Sequence, residues 1–155
     1  MKKYFQLPRE FAEKWIAALR SGEYKQGSSA LVIIEKDIPK YCCLGVACSI
    51  QGVPNGLMLA VSFPYLIRTD FNLPANLKRG HDPKTDTTQL GGVLAALNDG
   101  AKVSITEPGG DNYIEFNEEF KQHSFSEIAD WIEANVEFID VEEPEPAEPQ
   151  LEYPQ

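Results

Sequence analysis

Apolar residues recur along this chain at helical and at strand spacings, with irregular stretches between. Phe11, Trp15, Ala18 and Leu19 fall at i, i+4, i+7 and i+8 and predict a helix over residues 8–21. Pro8 suits a first helical turn, and Gly22 is a stop signal. Ala30-Leu31-Val32-Ile33-Ile34-Glu35 is apolar and β-branched and reads as a strand. Lys36-Asp37-Ile38-Pro39 then turns the chain, and Lys40-Tyr41 is expected to pair back briefly. Residues 42–51 read as a short helix with Leu44, Ala47 and Cys48 on one side, closed by Gly52. Gly45 inside it costs about 1 kcal/mol relative to Ala, which predicts the close approach of another element.

Residues 52–86 are the least regular third. Pro54, Pro64, Pro74 and Pro83 interrupt short apolar pieces such as Phe63-Pro64-Tyr65-Leu66-Ile67, so loops are expected, with one helical turn near 74–77. Leu90, Val93, Leu94 and Leu97 then predict a helix over 87–98, capped by Asp86 or Thr87 and followed by Gly100. Lys102–Thr106 and Tyr113–Phe116 alternate around Glu107–Asn112 as a β-hairpin. Ser124-Phe125-Ser126-Glu127 is a capping box that opens a helix to residue 135, with Ile128, Ala129 and Ile132 inward and Trp131 flanking. The expected fold is α+β. One domain, residues 1–138, packs about four helices (8–21, 42–51, 87–98, 124–135) around a small antiparallel sheet made of the 30–35 strand and the hairpin. Residues 139–155 are Pro/Glu-rich. They cannot bury enough apolar surface to offset their ordering entropy, and read as a disordered acidic tail.

At 155 residues the chain is the size of one domain with a real core. Seven of its ten net negative charges fall from Glu137 onward, so the body stands near −3. That profile argues against direct nucleic-acid binding, which needs clustered Lys and Arg, whereas Lys2, Lys3, Lys78, Arg79 and Lys84 are scattered. It argues equally against an acidic DNA mimic, which needs negative charge across an ordered surface. No apolar run approaches a membrane span, and the N-terminal residues lack the apolar core of a secretory signal. Three cysteines, two of them adjacent, do not make a disulfide framework, so a reduced cytoplasmic protein is expected.

Tyr41-Cys42-Cys43-Leu44-Gly45-Val46-Ala47-Cys48 gathers every cysteine of the chain. Zinc sites usually pair ligands at C-x-x-C-type spacing. Here Cys43 and Cys48 lie about 140° apart on a helix, with only His81 and His123 to complete a set, and no metal is expected. Cys42 or Cys43 at a helix start would gain thiolate stability from the dipole, with His81 or His123 as base. That arrangement is similar to papain-like cysteine hydrolases. The plainer reading is that the cysteines are small buried hydrophobes among Leu44, Val46, Ala47 and Ile50. Arg20, Tyr24, Lys25 and Gln26 form a polar, Gly-bounded turn suited to an anionic or nucleotide-like ligand, or simply to solvent. Asn98-Asp99-Gly100 reads as a helix end and turn, and Glu127, Asp130 and Glu133 as a cap and a solvated face.

Four segments together carry a family resemblance. They are Trp15–Gly27 (with Ala18-Leu19-Arg20-Ser21-Gly22, Tyr24 and Gln26-Gly27), Tyr41–Cys48, Leu97-Asn98-Asp99, and Phe125–Glu133. In this order they resemble small proteins encoded by bacteriophages and prophages, known mostly as hypothetical proteins. In those relatives the Leu-Asn-Asp segment lies close to the Phe-x-Glu-Ile-Ala helix, whereas here Val103–Phe116 and Asn117–His123 stand between them. The resemblance implies a phage accessory protein without assigning an activity. The expected function is therefore non-enzymatic binding of a host protein or a small anionic ligand, with no cofactor. A cysteine-dependent hydrolase and an acidic decoy are the alternatives.

Overall fold

Leu7 and Val136 are both fully buried, and they belong to two short strands from opposite ends of the sequence. In the computed structural model, which describes residues 5–28, 30–59, 71–78, 81–82, 87–106 and 113–140, β1 (Phe5–Pro8) pairs in parallel with β9 (Val136–Ile139). Pro8 ends β1 and caps α1 (Arg9–Arg20), so the helix starts one residue later than its periodicity suggests. Pro has no N–H for a ladder, and the end of a strand leading into a helix requires none. Arg9 fastens the pairing, donating from Nε to Asp140 Oδ1 at 2.7 Å and from Nη2 to Phe138 O at 3.2 Å. The pairing assigns Val136–Ile139 to the fold. Nothing local in Val-Glu-Phe-Ile announces a partner 131 residues away, so the sequence does not predict this strand. Residues 141–155, the remainder of the acidic tail, lie outside the described residues.

Two helices form the centre. In α2 (Cys43–Ile50) every residue from Cys43 to Cys48 is buried, and in α5 (Leu90–Asp99) every residue from Leu90 to Asn98. Helices apolar on all sides are interior helices. α1 buries Phe11, Ala12, Trp15, Ile16 and Leu19 against α2 and α6 (Phe125–Asn135), and α6 in turn packs on α5. Two short helices, α3 (Asn55–Leu59) and α4 (Ala75–Lys78), bring the number among the described residues to six rather than about four. The Pro-rich spacing that suggested loops is compatible with single turns.

The strands do not make one sheet. β3 (Val32–Glu35) and β4 (Ile38–Tyr41) form a hairpin, with β2 (Lys25–Gln26) parallel to β4 on its other side. β7 (Val103–Thr106) and β8 (Tyr113–Phe116) make a separate hairpin, so it does not join the 30–35 strand as expected. β5 (His81–Asp82) and β6 (Thr87–Thr88) form a further ladder. Thr87 is therefore in a strand, and Gln89 is the N-cap residue of α5. Thr87 does not cap the helix because it is taken up by the ladder and the helix begins only at Leu90; Asp86, the hairpin turn at 107–112 and the piece 63–67 lie outside the described residues. Among the described residues no helix is long and apolar enough to cross a membrane.

Gly45 explains how the β3–β4 hairpin reaches the centre. A Cβ at Gly45 would lie 1.9 Å from Leu31 O, and that carbonyl already accepts the Cys42 N–H at 3.1 Å. The chain entering β3 thus presses directly on α2. Gly45→Ala is expected to destabilise the domain by about 3 kcal/mol in chemical denaturation, because backbone must move to admit the methyl group. The β3–β4 turn places Lys36 at φ 52° and Asp37 at φ 64°, the left-handed pair that a two-residue hairpin demands. The double change Lys36→Asn, Asp37→Gly is expected to stabilise by about 0.5–1 kcal/mol, read as a raised denaturation midpoint.

Candidate functional site

The cysteine segment lies where α2 begins. Cys42 is the cap residue, and its Sγ accepts the Gly45 N–H at 3.3 Å while its carbonyl accepts Val46 N–H. The thiol thus takes the role that a Ser or Asp oxygen commonly fills at this position. Cys43 donates its S–H to Leu94 O at 3.4 Å, tying α2 to α5. All three cysteines are free and buried. Burial pushes the Cys42 thiol up to about 12, outweighing the backbone hydrogen bonds that favour its thiolate. Desolvation also raises Cys43 and Cys48 well above the ordinary thiol range. The helix start supplies the donors that the sequence suggested, yet loss of water is the larger effect.

His123 comes near this region through its main chain. Its N–H donates to Leu97 O at 2.9 Å, and its carbonyl accepts from Gln26. The imidazole is committed elsewhere, with Nδ1 donating to Lys121 O at 3.0 Å. His81 lies in β5, and its side chain is outside the described residues. Among the described residues no group of three or more His, Cys, Asp or Glu is arranged to hold a metal ion.

What does occupy the centre is a carboxamide. Asn98 is fully buried, and its amide is saturated. Oδ1 accepts from Gln26 Nε2 at 3.0 Å and from Cys43 N at 3.2 Å. Nδ2 donates to Gly27 O at 2.8 Å and to Asp99 Oδ1 at 3.0 Å. Gln26 Nε2 also donates to His123 O at 2.7 Å. Trp15, at 0% exposure, donates from Nε1 to Cys43 O at 3.0 Å. Three expected features therefore converge: the Gln26-Gly27 turn, the start of the cysteine helix and the Leu-Asn-Asp segment. The sequence places Asn98 at a helix end, correctly, with Gly100 as the left-handed cap at φ 78°. It misses the role of the side chain. The available signal was spacing, since Leu90, Leu94 and Asn98 fall on one i, i+4 row of an otherwise apolar helix.

The four residues of the polar turn are separated by their bonds. Arg20 Nη2 donates to Asp130 Oδ1 at 2.6 Å and also to Glu133 Oε1, joining α1 to α6, and both carboxylates raise the guanidinium above its ordinary value. Tyr24 shares a hydrogen bond with Ser49 Oγ at 3.0 Å and meets the Tyr41 ring edge-on at 5.1 Å between centroids. Gln26 faces inward to Asn98, while Lys25 is exposed. The expected capping box is present: Ser124 Oγ accepts Glu127 N–H, and the Glu127 carboxylate accepts Ser124 N–H. Lys121 Nζ adds an ion pair to the same carboxylate.

These features define a small α+β domain held at its middle by a buried amide network and at its ends by a parallel strand pair. A protein-family model described as domain of unknown function DUF8296 matches residues 7–136, so the chain belongs to that family. The matched span takes in the buried amide network; it starts within β1 and ends at the first residue of β9, so each pair of the parallel ladder has at least one partner outside it. Comparison with curated proteins and with solved structures gives no match.

Asn98→Ala strips partners from Gln26, the Cys43 amide and Gly27 O at once, and is expected to cost about 2–4 kcal/mol in urea unfolding. Glu127 yields a pH signature. Its hydrogen bond from Lys121, then that from Ser124 N–H, hold its carboxyl down at about 2, against 4.5 ordinarily. A lowered folded value means that the stabilisation is complete above pH 4.5 and is lost as pH falls toward 2. Glu127→Gln is therefore expected to flatten the decline of Tm between pH 4.5 and pH 2 relative to the unsubstituted protein.

Proposed function

We propose that this chain is a non-enzymatic binding protein of phage-accessory type, working in the host cytoplasm on a protein component of the host. The observation that carries this reading is the commitment of the candidate chemical groups to the fold. The thiols cap and cross-link α2, Asn98 and Gln26 close on each other, and Arg20 is held by two carboxylates. Of the two expected kinds of partner, these bonds favour the protein over the small anion, because three of the four groups suited to grip an anion, Arg20, Tyr24 and Gln26, already hold internal partners. The family resemblance carried by the Trp15–Gly27, Tyr41–Cys48, Leu97–Asp99 and Phe125–Glu133 segments supplies the phage context.

The competing reading, a cysteine hydrolase, makes an opposite demand on the thiols. Iodoacetamide at pH 7 is expected to label Cys42 and Cys43 only after denaturation, with native labelling slower than that of free cysteine by more than about 100-fold. Rapid, selective labelling of either residue in the native protein would replace the binding reading with the hydrolase. Titration calorimetry against a nucleotide panel is expected to give no heat of binding, and saturable heat would restore the small-ligand version.

A further inference from the structure

Residues 117–123 connect β8 to α6 in a loop fixed at both ends. Asn117 Nδ2 donates to Ala101 O at 3.0 Å and to Lys121 O at 2.8 Å, and Asn117 Oδ1 accepts the Lys121 N–H at 3.0 Å. Phe120 N–H donates to Asn117 O, and His123 N–H to Leu97 O. A Cβ at Gly100 would come within 3.3 Å of Phe120 O, so the loop lies directly on the end of α5. Two of its residues take the left-handed conformation, Asn117 at φ 59° and Phe120 at φ 56°. Asn tolerates this conformation. A bulky aromatic residue does so only under strain.

Burial of the Phe120 ring does not offset this. Phe120 is 63% exposed, the highest value among the large apolar residues described. The other exposed ones, Ile34, Ile38, Leu59 and Ile139, all have negative φ. A Gly or Asn at position 120 would remove both the backbone strain and the exposed ring. A rigid loop that presents an aromatic side chain at this double disadvantage has the form of a binding anchor.

The surrounding charge states what the anchor fits. Glu118 and Glu119 are exposed, and among the described residues neither forms an ion pair. Lys121 is occupied by Glu127. Ten Asp and Glu and no Lys or Arg follow it in the sequence. We propose that Phe120, flanked by Glu118 and Glu119, is the docking element of this protein, and that its partner is a protein surface offering an apolar pocket rimmed by Lys and Arg. This rests on the binding reading above and names its site. The ring fills the pocket and the two carboxylates meet the rim, their charge drawing the basic rim toward the loop.

The test uses the full chain and a displayed library of random 12-residue peptides as the probe. Selected peptides are expected to combine a large apolar residue with at least two Lys or Arg and to shift the NMR signals of the Phe120 ring and the Glu118 and Glu119 amides. Phe120→Asn, which suits the backbone, is expected to leave Tm unchanged or raised while weakening these peptides at least tenfold. Glu118→Lys with Glu119→Lys is expected to weaken them at least fivefold at low salt, and less at high salt. Peptides that bind elsewhere on the domain, or bind Phe120→Asn equally well, overturn the docking site and leave the binding reading standing. No enrichment over an unrelated acidic protein overturns both. Self-association in sedimentation that Phe120→Asn abolishes also overturns the proposal, because it makes a second copy the occupant.

Discussion

The amide of Asn98 is the interaction on which the arrangement of this domain depends. It gives one fully buried side chain four partners drawn from three separated stretches of sequence: Gln26 and Gly27, Cys43, and its own neighbour Asp99. A buried polar group is costly unless every donor and acceptor is matched, and so it specifies geometry more sharply than apolar contacts do. Hydrophobic burial alone lets α2 slide or rotate against α5, since both helices are apolar on all sides. The amide, together with the Cys43 S–H on Leu94 O, fixes their register. Trp15, reaching Cys43 O, fixes α1 to the same point.

The chemistry of the cysteines follows from this placement. A thiol at a helix start is activated when it faces water and a base. Cys42 is shut off from water: its sulfur receives an amide of its own helix, and the raised values of the three thiols reflect loss of solvent. Position on a helix is therefore an insufficient guide to reactivity, because the dipole acts over one turn whereas desolvation acts on the whole charge.

Local signals were the ones legible in the sequence. The capping box at Ser124, the apolar stripe of α1, the glycine stop at Gly100 and the close approach at Gly45 each depend on a few neighbouring residues, and each is present in the fold. What the sequence did not reveal was long-range. β1 and β9 pair across most of the chain, and neither Phe-Gln-Leu-Pro nor Val-Glu-Phe-Ile names its partner. The strand at 32–35 and the hairpin from 103 are both recognisable, but periodicity carries no information about whether two strands share a sheet. For the candidate site, Gln26 and Cys43 were visible as features of separate motifs. Their meeting at Asn98 was invisible because the row Leu90, Leu94 and Asn98 gives the direction of the side chain but does not name its partners.

The pairing of β1 with β9 also determines how the domain responds to force. The strands are parallel, with Phe5 opposite Val136 and Pro8 opposite Ile139. Tension applied through the chain pulls β1 from its Phe5 end and β9 from its Ile139 end, at opposite ends of the ladder. The hydrogen bonds are then loaded together in shear and do not open one after another like a zipper. Arg9, bridging to Phe138 O and Asp140, lies across the same line of pull. A domain drawn between two attachments at its ends thus resists at its clasp first, and the amide hub behind it stays unloaded until that clasp has slipped.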